Sequence, residues 1–403
     1  MRDAVQQRLI EQTEAAELGV YARLELVLER GQGCWVFDRR GRRYLDLYGG
    51  HAVALTGHCH PEVVAAIQRQ ARRLLFYSSS VYCPVRAEAS RLLAERGPWP
   101  GGGRVFHCCS GSEANEVALK LARKLTGRRR VISFEGSFHG RTLAALSACG
   151  LAGYRATAGP VLVPDHEQVP FGDAEALEAA LDEQTAAVLL EPIQSLAGVR
   201  LAPEGWYARV AAAARRAGAL LIFDEVQTGL GRTGSFLFCE AVGVKPDLIT
   251  LAKGLASGLP AAAVLVAPEL AAEVRRGDHG STFGGGPLAM AALVATLEVI
   301  AREDLAGNAA RQGERLRAAL AGLPGVVAVR GRGLLLGVEL ERPASEVQAG
   351  LLARGILCGT AADPRVLRLL PPLVLGEAEV EHFVQALEDL LGATDVLRPE
   401  GRP

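Results

Sequence analysis

Lysine occurs at four positions only, 120, 124, 245 and 253, so chemistry that needs a primary amine has four candidates. Lys120 and Lys124 stand four apart beside Glu113 and Glu116, the pattern of a solvated helix face. Lys245 lies in Val-Lys-Pro-Asp, a turn. Lys253 alone follows an apolar run, Leu248-Ile249-Thr250-Leu251-Ala252, and precedes a glycine that lets another group approach closely. An amine taken out of water loses its proton more easily and becomes a nucleophile able to form a Schiff base. A lysine that snorkels, with its ammonium kept in water, would look the same in sequence.

Ligands of open α/β sheets sit beyond the carboxyl ends of the strands. Polar residues directly after apolar runs are therefore the next candidates. Val105-Phe106-His107-Cys108-Cys109 leads into Ser110-Gly111-Ser112-Glu113-Ala114-Asn115. A strand, small residues and a helix start leave backbone N–H groups able to face a phosphate; helix capping by Ser110 or Ser112 explains the same pattern. Leu220-Leu221-Ile222-Phe223 delivers Asp224, followed by Glu225-Val226-Gln227. A buried carboxylate needs a partner: an ion pair, a turn cap or the cationic ring nitrogen of a cofactor each supplies one. Ser137-Phe138-His139-Gly140-Arg141-Thr142 offers a ring to stack on a flat ligand and a guanidinium to grip a carboxylate. A packed aromatic with a surface arginine is the plainer explanation of that segment. Taken together, an anion cradle, a ring stacker, an acid and one desolvatable lysine are the parts that pyridoxal phosphate requires.

The elements that must position these groups are legible as short apolar runs. Residues 105–109, 130–134, 187–191, 219–224, 247–252 and 262–266 have the character of buried strands, with helical periods over 113–125 and 203–217 between them. This rhythm predicts an α/β fold, a mostly parallel sheet covered by helices on both faces. Near the start, 5–18 forms a short amphipathic helix and 34–47 a hairpin turning around Gly41. Strands and helices beyond Pro287 predict a smaller α+β domain. The expected division is 1–55, a segment joining the small domain; 56–288, the large domain; 289–395, the small domain; and 396–403, a loose tail.

Bulk numbers narrow the classes. At roughly 150 residues per domain, 403 residues correspond to two or three domains. Apolar content of 49% and charged content of 22% are ordinary globular usage. A net charge of −1 offers no broad basic surface for nucleic acid. No apolar run approaches the ~18 residues of a membrane span, and the charged amino terminus lacks the apolar centre of a secretory signal. The eight cysteines are scattered without C-x-x-C spacing, which predicts buried thiols in a reducing, cytoplasmic setting. His58-Cys59-His60 has no second ligand cluster, so no metal site is expected.

The sequence resembles the class III pyridoxal-phosphate aminotransferases of fold type I, and within them the acetylornithine aminotransferases, from about Tyr21 to Leu391. The motifs LTGHCHPEVV, CSGSEANEVALKLAR, SFHGRT, LLEPIQ, IFDEVQTGLGRTG, ITLAKGL, HGSTFGG and VLRLLPPL carry the resemblance. It implies a large domain built on a seven-stranded sheet. It implies that Lys253 holds the cofactor aldehyde and shuttles a proton, and that Asp224 pairs with the pyridine nitrogen. Phe138 and Val226 would cover the two ring faces, Gln227 would bond near the phenolic oxygen, and Gly111 and Ser112 would hold the phosphate. Glu225 is counted with these cofactor contacts. Thr282, with Ser281 beside it, would come from the neighbouring subunit of a homodimer. Tyr21, Arg141, Ser281 and Arg368 would bind substrate, the two arginines through carboxylates. The implied reaction, within arginine biosynthesis, moves the terminal amino group of N-acetylornithine or N-succinylornithine to 2-oxoglutarate. The alternatives are another donor (carrier-linked lysine, ornithine or an α-amino acid), an intramolecular aminomutase, or a non-catalytic binding protein. One departure bears on this: Leu196 stands where many relatives carry a glutamate that neutralises the arginine matching Arg368. Ser195 and Ala197 stand where they carry glycine, and Gly286 where they carry asparagine.

Overall fold

The computed structural model describes residues 4–392. The amino-terminal strands β1 (Leu28–Gln32), β2 (Trp35–Asp38) and β3 (Arg43–Asp46) form an antiparallel meander. There follow β4 (Arg104–Cys108), β5 (Arg130–Phe134), β6 (His166–Val169), β7 (Thr185–Leu190), the short pair β8 (Ile193–Gln194) and β9 (Arg200–Leu201), then β10 (Leu220–Asp224), β11 (Leu248–Leu251) and β12 (Ala262–Val266). Seven of these make the central sheet, in the order β4-β12-β11-β10-β7-β5-β6. β12 is antiparallel to both neighbours; the other registered pairs are parallel.

Alternate residues of the central strands face opposite ways, and both directions are apolar. Ala187, Leu189, Ile222, Leu248 and Val264 pack against the helix Gly111–Thr126 through Ala114, Val117, Ala118 and Leu121. Val188, Leu190, Leu221, Phe223, Ile249 and Leu265 belong to the larger core on the other face, with Trp206, Tyr207 and Val210 of the helix Trp206–Ala217. Burial on both faces explains why these strands read as continuous apolar runs. Each fully buried Leu or Phe stabilises the fold by roughly 1.5–3 kcal/mol.

Beyond the helices Pro287–Arg302 and Leu305–Leu320 come β13 (Val326–Arg332), β14 (Leu335–Leu340), β15 (Ile356–Leu357), β16 (Gly359–Thr360) and β17 (Val366–Leu369). A second sheet runs β13-β14-β17-β16, antiparallel throughout. β15 leaves that sheet and pairs in parallel with β3, Ile356 opposite Leu45 and Leu357 opposite Asp46.

Several expectations are revised. β6 was not foreseen, because His-Glu-Gln-Val is polar; it is an edge strand, where one side has no strand to meet. The first helix spans Ala4–Ala16 and buries none of its residues. Cys34, Cys108, Cys149, Cys239 and Cys358 are buried, but Cys59 is exposed and Cys83 and Cys109 are half-buried. Residues 393–395 of the expected small domain and the tail 396–403 lie outside the described residues. Among the described residues no helix is long and apolar enough to cross a membrane.

Candidate active site

A cavity of about 1060 Å³ opens at the carboxyl ends of β7, β10 and β11 and at the start of the helix Gly111–Thr126. Tyr48, His51, Gly359, Thr360 and Arg368 line its other side.

At the helix start, Ser110 is extended, and its hydroxyl accepts from the Glu113 N–H at 3.2 Å. Glu113 reaches back to accept the Cys109 N–H at 2.7 Å, a reciprocal cap. This capping leaves the N–H groups of Gly111 and Ser112, which line the cavity, without a partner among the described residues. They form the ready-made anion site of a helix N-terminus. Gly140 closes over it with φ +137°, where a Cβ would come within 2.8 Å of the Ser112 Cβ. Only glycine fits there.

Strand alternation turns Asp224 to the same side of the sheet as Ile222, toward the helix Gly111–Thr126, and buries it. Its Oδ2 accepts from Asn115 Nδ2 at 2.7 Å and His139 Nδ1 at 2.8 Å. Its Oδ1 accepts from the Val226 N–H at 3.1 Å and, more weakly, the Thr250 hydroxyl at 3.4 Å. Asn115 also donates to the His139 carbonyl and accepts from Thr250, so the carboxylate sits in a cage of fixed donors. Four donors hold the acid in place, none of them a lysine or arginine, and Lys253 acts on it only through the field, which leaves an acid prepared for a cationic partner in the cavity.

Lys253 follows β11 and begins a short 3₁₀ turn, Lys253–Ala256. Its φ of +48° is a left-handed conformation, rare outside glycine and typical of strained functional positions. Burial lowers its pKa; Asp224 and Glu191 oppose this, and Arg368 adds to it. Glu191, just after β7, is buried and accepts the Phe138 N–H at 2.6 Å. Burial pushes its carboxyl up to about 7, with His139 pulling the other way. Phe138, Val226 and Gln227 line the cavity, and the Gln227 Oε1 is buried without a partner among the described residues. Tyr154 meets Phe138 edge-on at 5.2 Å, and the exposed Arg141 rests its guanidinium 4.9 Å from the Tyr154 ring. On the opposite wall Arg368, 5% exposed, donates to the Thr360 carbonyl at 2.6 Å, the Tyr48 hydroxyl at 2.8 Å and the Ser195 hydroxyl at 3.2 Å.

The cavity thus brings together Gly111, Ser112, Phe138, Arg141, Asp224, Val226, Gln227, Lys253 and Arg368. Four other expected residues lie outside its lining. Glu225 faces the opposite side of β10 by strand alternation; it accepts the Phe238 and Cys239 N–H groups at 2.6 and 2.9 Å and caps the short helix Phe238–Ala241. Tyr21 is 66% exposed, while Ala22, Arg23 and Leu24 behind it line the cavity. Ser281 donates to Glu113 at 2.6 Å, and Thr282 is exposed. Asn115, His139, Thr250, Glu191 and Tyr48 were not singled out from sequence. Asn115 carried a signal, being a polar residue beside Ala114 on the apolar face of its helix.

The family model for aminotransferase class-III matches residues 19–391. An acetylornithine aminotransferase of Methanopyrus kandleri is 45% identical over 94% of this chain and 97% of its own. That of Streptomyces coelicolor is 44% identical over 98% of both chains. Among solved structures, an ornithine aminotransferase from Toxoplasma gondii superposes with a TM-score of 0.92 at 34% identity, covering 99% of this chain and 97% of that one. An acetylornithine aminotransferase from Elizabethkingia anophelis gives 0.85 at 30%, covering 96% and 99%. A full-length family match, relatives this similar over nearly the whole chain, and a strand-end cavity uniting one amine with one caged acid lead to one statement: the chain belongs to the class III aminotransferases, which depend on pyridoxal phosphate.

Proposed function

We propose that this enzyme transfers the terminal amino group of N-acetylornithine or N-succinylornithine to 2-oxoglutarate, serving arginine biosynthesis in the cytoplasm. The observation that carries the reading is one cavity holding one amine, Lys253, together with arginines from different elements: Arg23, whose guanidinium pairs with Glu14 and Glu17, and Arg141 and Arg368, neither of which has a carboxylate partner among the described residues. Two guanidinium groups suit an acceptor with two carboxylates, and one of them suits a donor with a single carboxylate.

The residues fit pyridoxal phosphate by their chemistry: two helix N–H groups without a partner among the described residues, an aromatic ring and an apolar side chain in the same cavity lining, a caged acid, and an amine whose proton is loosened. Bound there, the cofactor supplies an aldehyde that takes up an amino group and an electron-poor ring that spreads negative charge. Gly111 and Ser112 would hold its phosphate. Phe138 and Val226 would confine its ring, and Gln227 would offer its amide to the ring's oxygen. Asp224, fixed by Asn115 and His139, would keep the ring nitrogen protonated. Lys253 Nζ would anchor the aldehyde carbon and then carry a proton to and from the substrate carbon that bears the amine.

A homodimer belongs to this reading. Leu74, Leu75, Phe76, Tyr77, Val81 and Tyr82 are exposed, and Phe76 meets the exposed Phe283 at 5.1 Å. An apolar patch of this kind supports burial against a second copy. Thr282, exposed and next in sequence to Phe283, would reach the partner's phosphate site in that assembly.

The test mixes purified holoenzyme with N-acetylornithine, N-succinylornithine, ornithine, lysine and glutamate separately and follows the cofactor absorbance. An acylated ornithine together with glutamate should react fastest. Rapid reaction with an α-amino acid other than glutamate, and none with either acylornithine, would establish the alternative donor. That second reading draws on Arg368, whose partners among the described residues are neutral.

A further inference from the structure

Arg368 is buried in the cavity wall, yet among the described residues no carboxylate lies within ion-pair distance of it. An unpaired buried charge is costly, so the surroundings must compensate by hydrogen bonding alone. Three of its five N–H donors go to neutral oxygens: Nε to the Thr360 carbonyl, Nη1 to the Ser195 hydroxyl, Nη2 to the Tyr48 hydroxyl. Two N–H groups, one on each Nη, remain for a ligand.

Each neutral partner is itself held. Arg368 lies on β17 opposite Gly337 of β14 and Gly359 of β16. A Cβ at Gly359 would come within 2.6 Å of the Tyr48 Cδ2, so the missing side chain is what admits the Tyr48 ring. The Tyr48 oxygen accepts from Arg368 and shares a second hydrogen bond with His51 Nδ1 at 2.9 Å. Ser195 is wholly buried and directly follows β8, and the next carbonyl, of Leu196, accepts the Ala362 N–H at 2.8 Å. That bond ties the Ser195 loop to the segment carrying Thr360.

We propose that Ser195 and Tyr48 are positioning residues for substrate recognition: their hydroxyls hold the Arg368 fork in a carboxylate-binding pose while leaving its charge uncompensated. A carboxylate partner would fix the fork equally well but would compete with the ligand. Hydroxyls do not compete. The ligand class that follows is a dicarboxylate of the 2-oxoglutarate type. The proposal rests on the transaminase reading for its biological meaning, but its test does not.

The test is calorimetric binding of glutarate, an inert dicarboxylate, to the holoenzyme, run beside steady-state kinetics. A hydrogen bond to a charged group governs orientation here, so Ser195→Ala and Tyr48→Phe should each weaken glutarate about tenfold. Each should raise the KM for 2-oxoglutarate about as much, with kcat and the KM of the amino donor within about twofold. Ser195→Thr, which keeps the hydroxyl, should restore both. Unchanged glutarate binding in both alanine and phenylalanine variants would overturn the proposal whatever the enzyme turns over, as would equal losses in donor and acceptor KM. Weakened glutarate binding in an enzyme that transfers no amino group would instead sink the transaminase reading and leave the positioning role standing.

Discussion

Asp224→Asn tests the floor of the cavity most directly, because it keeps the shape and removes the charge. The carboxylate accepts from Asn115 and His139 on one oxygen and from the Val226 N–H and Thr250 on the other. An amide must turn its NH₂ toward one of these pairs. Asn115 cannot flip to help, since its Nδ2 also serves the His139 carbonyl and its Oδ1 the Thr250 hydroxyl. The amide therefore turns its NH₂ toward Val226 and Thr250, where the hydroxyl can rotate to accept and one backbone N–H loses its acceptor. One unsatisfied buried donor costs about 1–3 kcal/mol of stability. The functional loss is larger. A contact between unit charges at an effective dielectric of about 20 is worth about 4 kcal/mol, which at about 1.4 kcal/mol per decade is roughly a thousandfold in rate. Single-turnover reaction of the loaded variant with its amino donor, followed by absorbance, should therefore slow by about three decades while the cofactor stays bound. A cofactor analogue with a permanently cationic, N-methylated ring should recover much of the loss. A loss below about tenfold, or no recovery with the analogue, would refute the role given to this acid.

Lys253→Ala should abolish turnover and leave no covalent link to the cofactor, read as the absence of a borohydride-fixed mass adduct; retained transamination would remove Lys253 from its role. Gly140→Ala places a Cβ within 2.8 Å of the Ser112 Cβ at a φ of +137°, a strain of about 1–3 kcal/mol, and cofactor affinity measured by fluorescence should fall by about tenfold or more. Burial raises the Glu225 carboxyl from 4.5 to about 7, so the folded state disfavours its charged form. Its penalty is absent below the unfolded value, grows through that window and is complete above the folded value, at about 3 kcal/mol. Denaturant titrations of cofactor-free protein at about pH 5 and about pH 8 should show Glu225→Gln losing about that much less stability than the parent. Equal losses would refute the sign. The slope alone is diagnostic, because the glutamine amide meets the donors of Phe238 and Cys239 and lowers stability at every pH.

The parts of the site legible in sequence are those that a strand end makes unavoidable. Asp224 and Lys253 each follow a run of apolar residues, and a charge delivered there announces itself by its cost. Gly111 and Ser112 were legible because capped helices begin in recognisable ways. Glu225 misled because adjacency in sequence is opposition in a strand: one residue beyond Asp224, it faces the other side of the sheet and serves a helix there. The cage around Asp224 was hidden for a different reason. Asn115, His139 and Thr250 belong to three elements that meet only once the sheet has formed. The contacts of Tyr48 and Ser195 with Arg368 were hidden similarly, although Ser195 stood out as a departure from glycine, because these residues lie 320 and 173 residues from Arg368. The missed strand β6 shows the limit of apolar pattern, since an edge strand can keep polar residues.

The pairing of β3 with β15 joins residues 45 and 356. During synthesis the first meander emerges early and waits, with the edge of β3 unpaired, until more than three hundred residues have followed it. The wall of the cavity that holds Arg368 therefore assembles late, because Tyr48 comes from the early segment and Arg368 from the late one. A nascent chain can build the β10–β11 floor before the Tyr48–Arg368 wall exists, and its unpaired strand is the place where a chaperone would be needed.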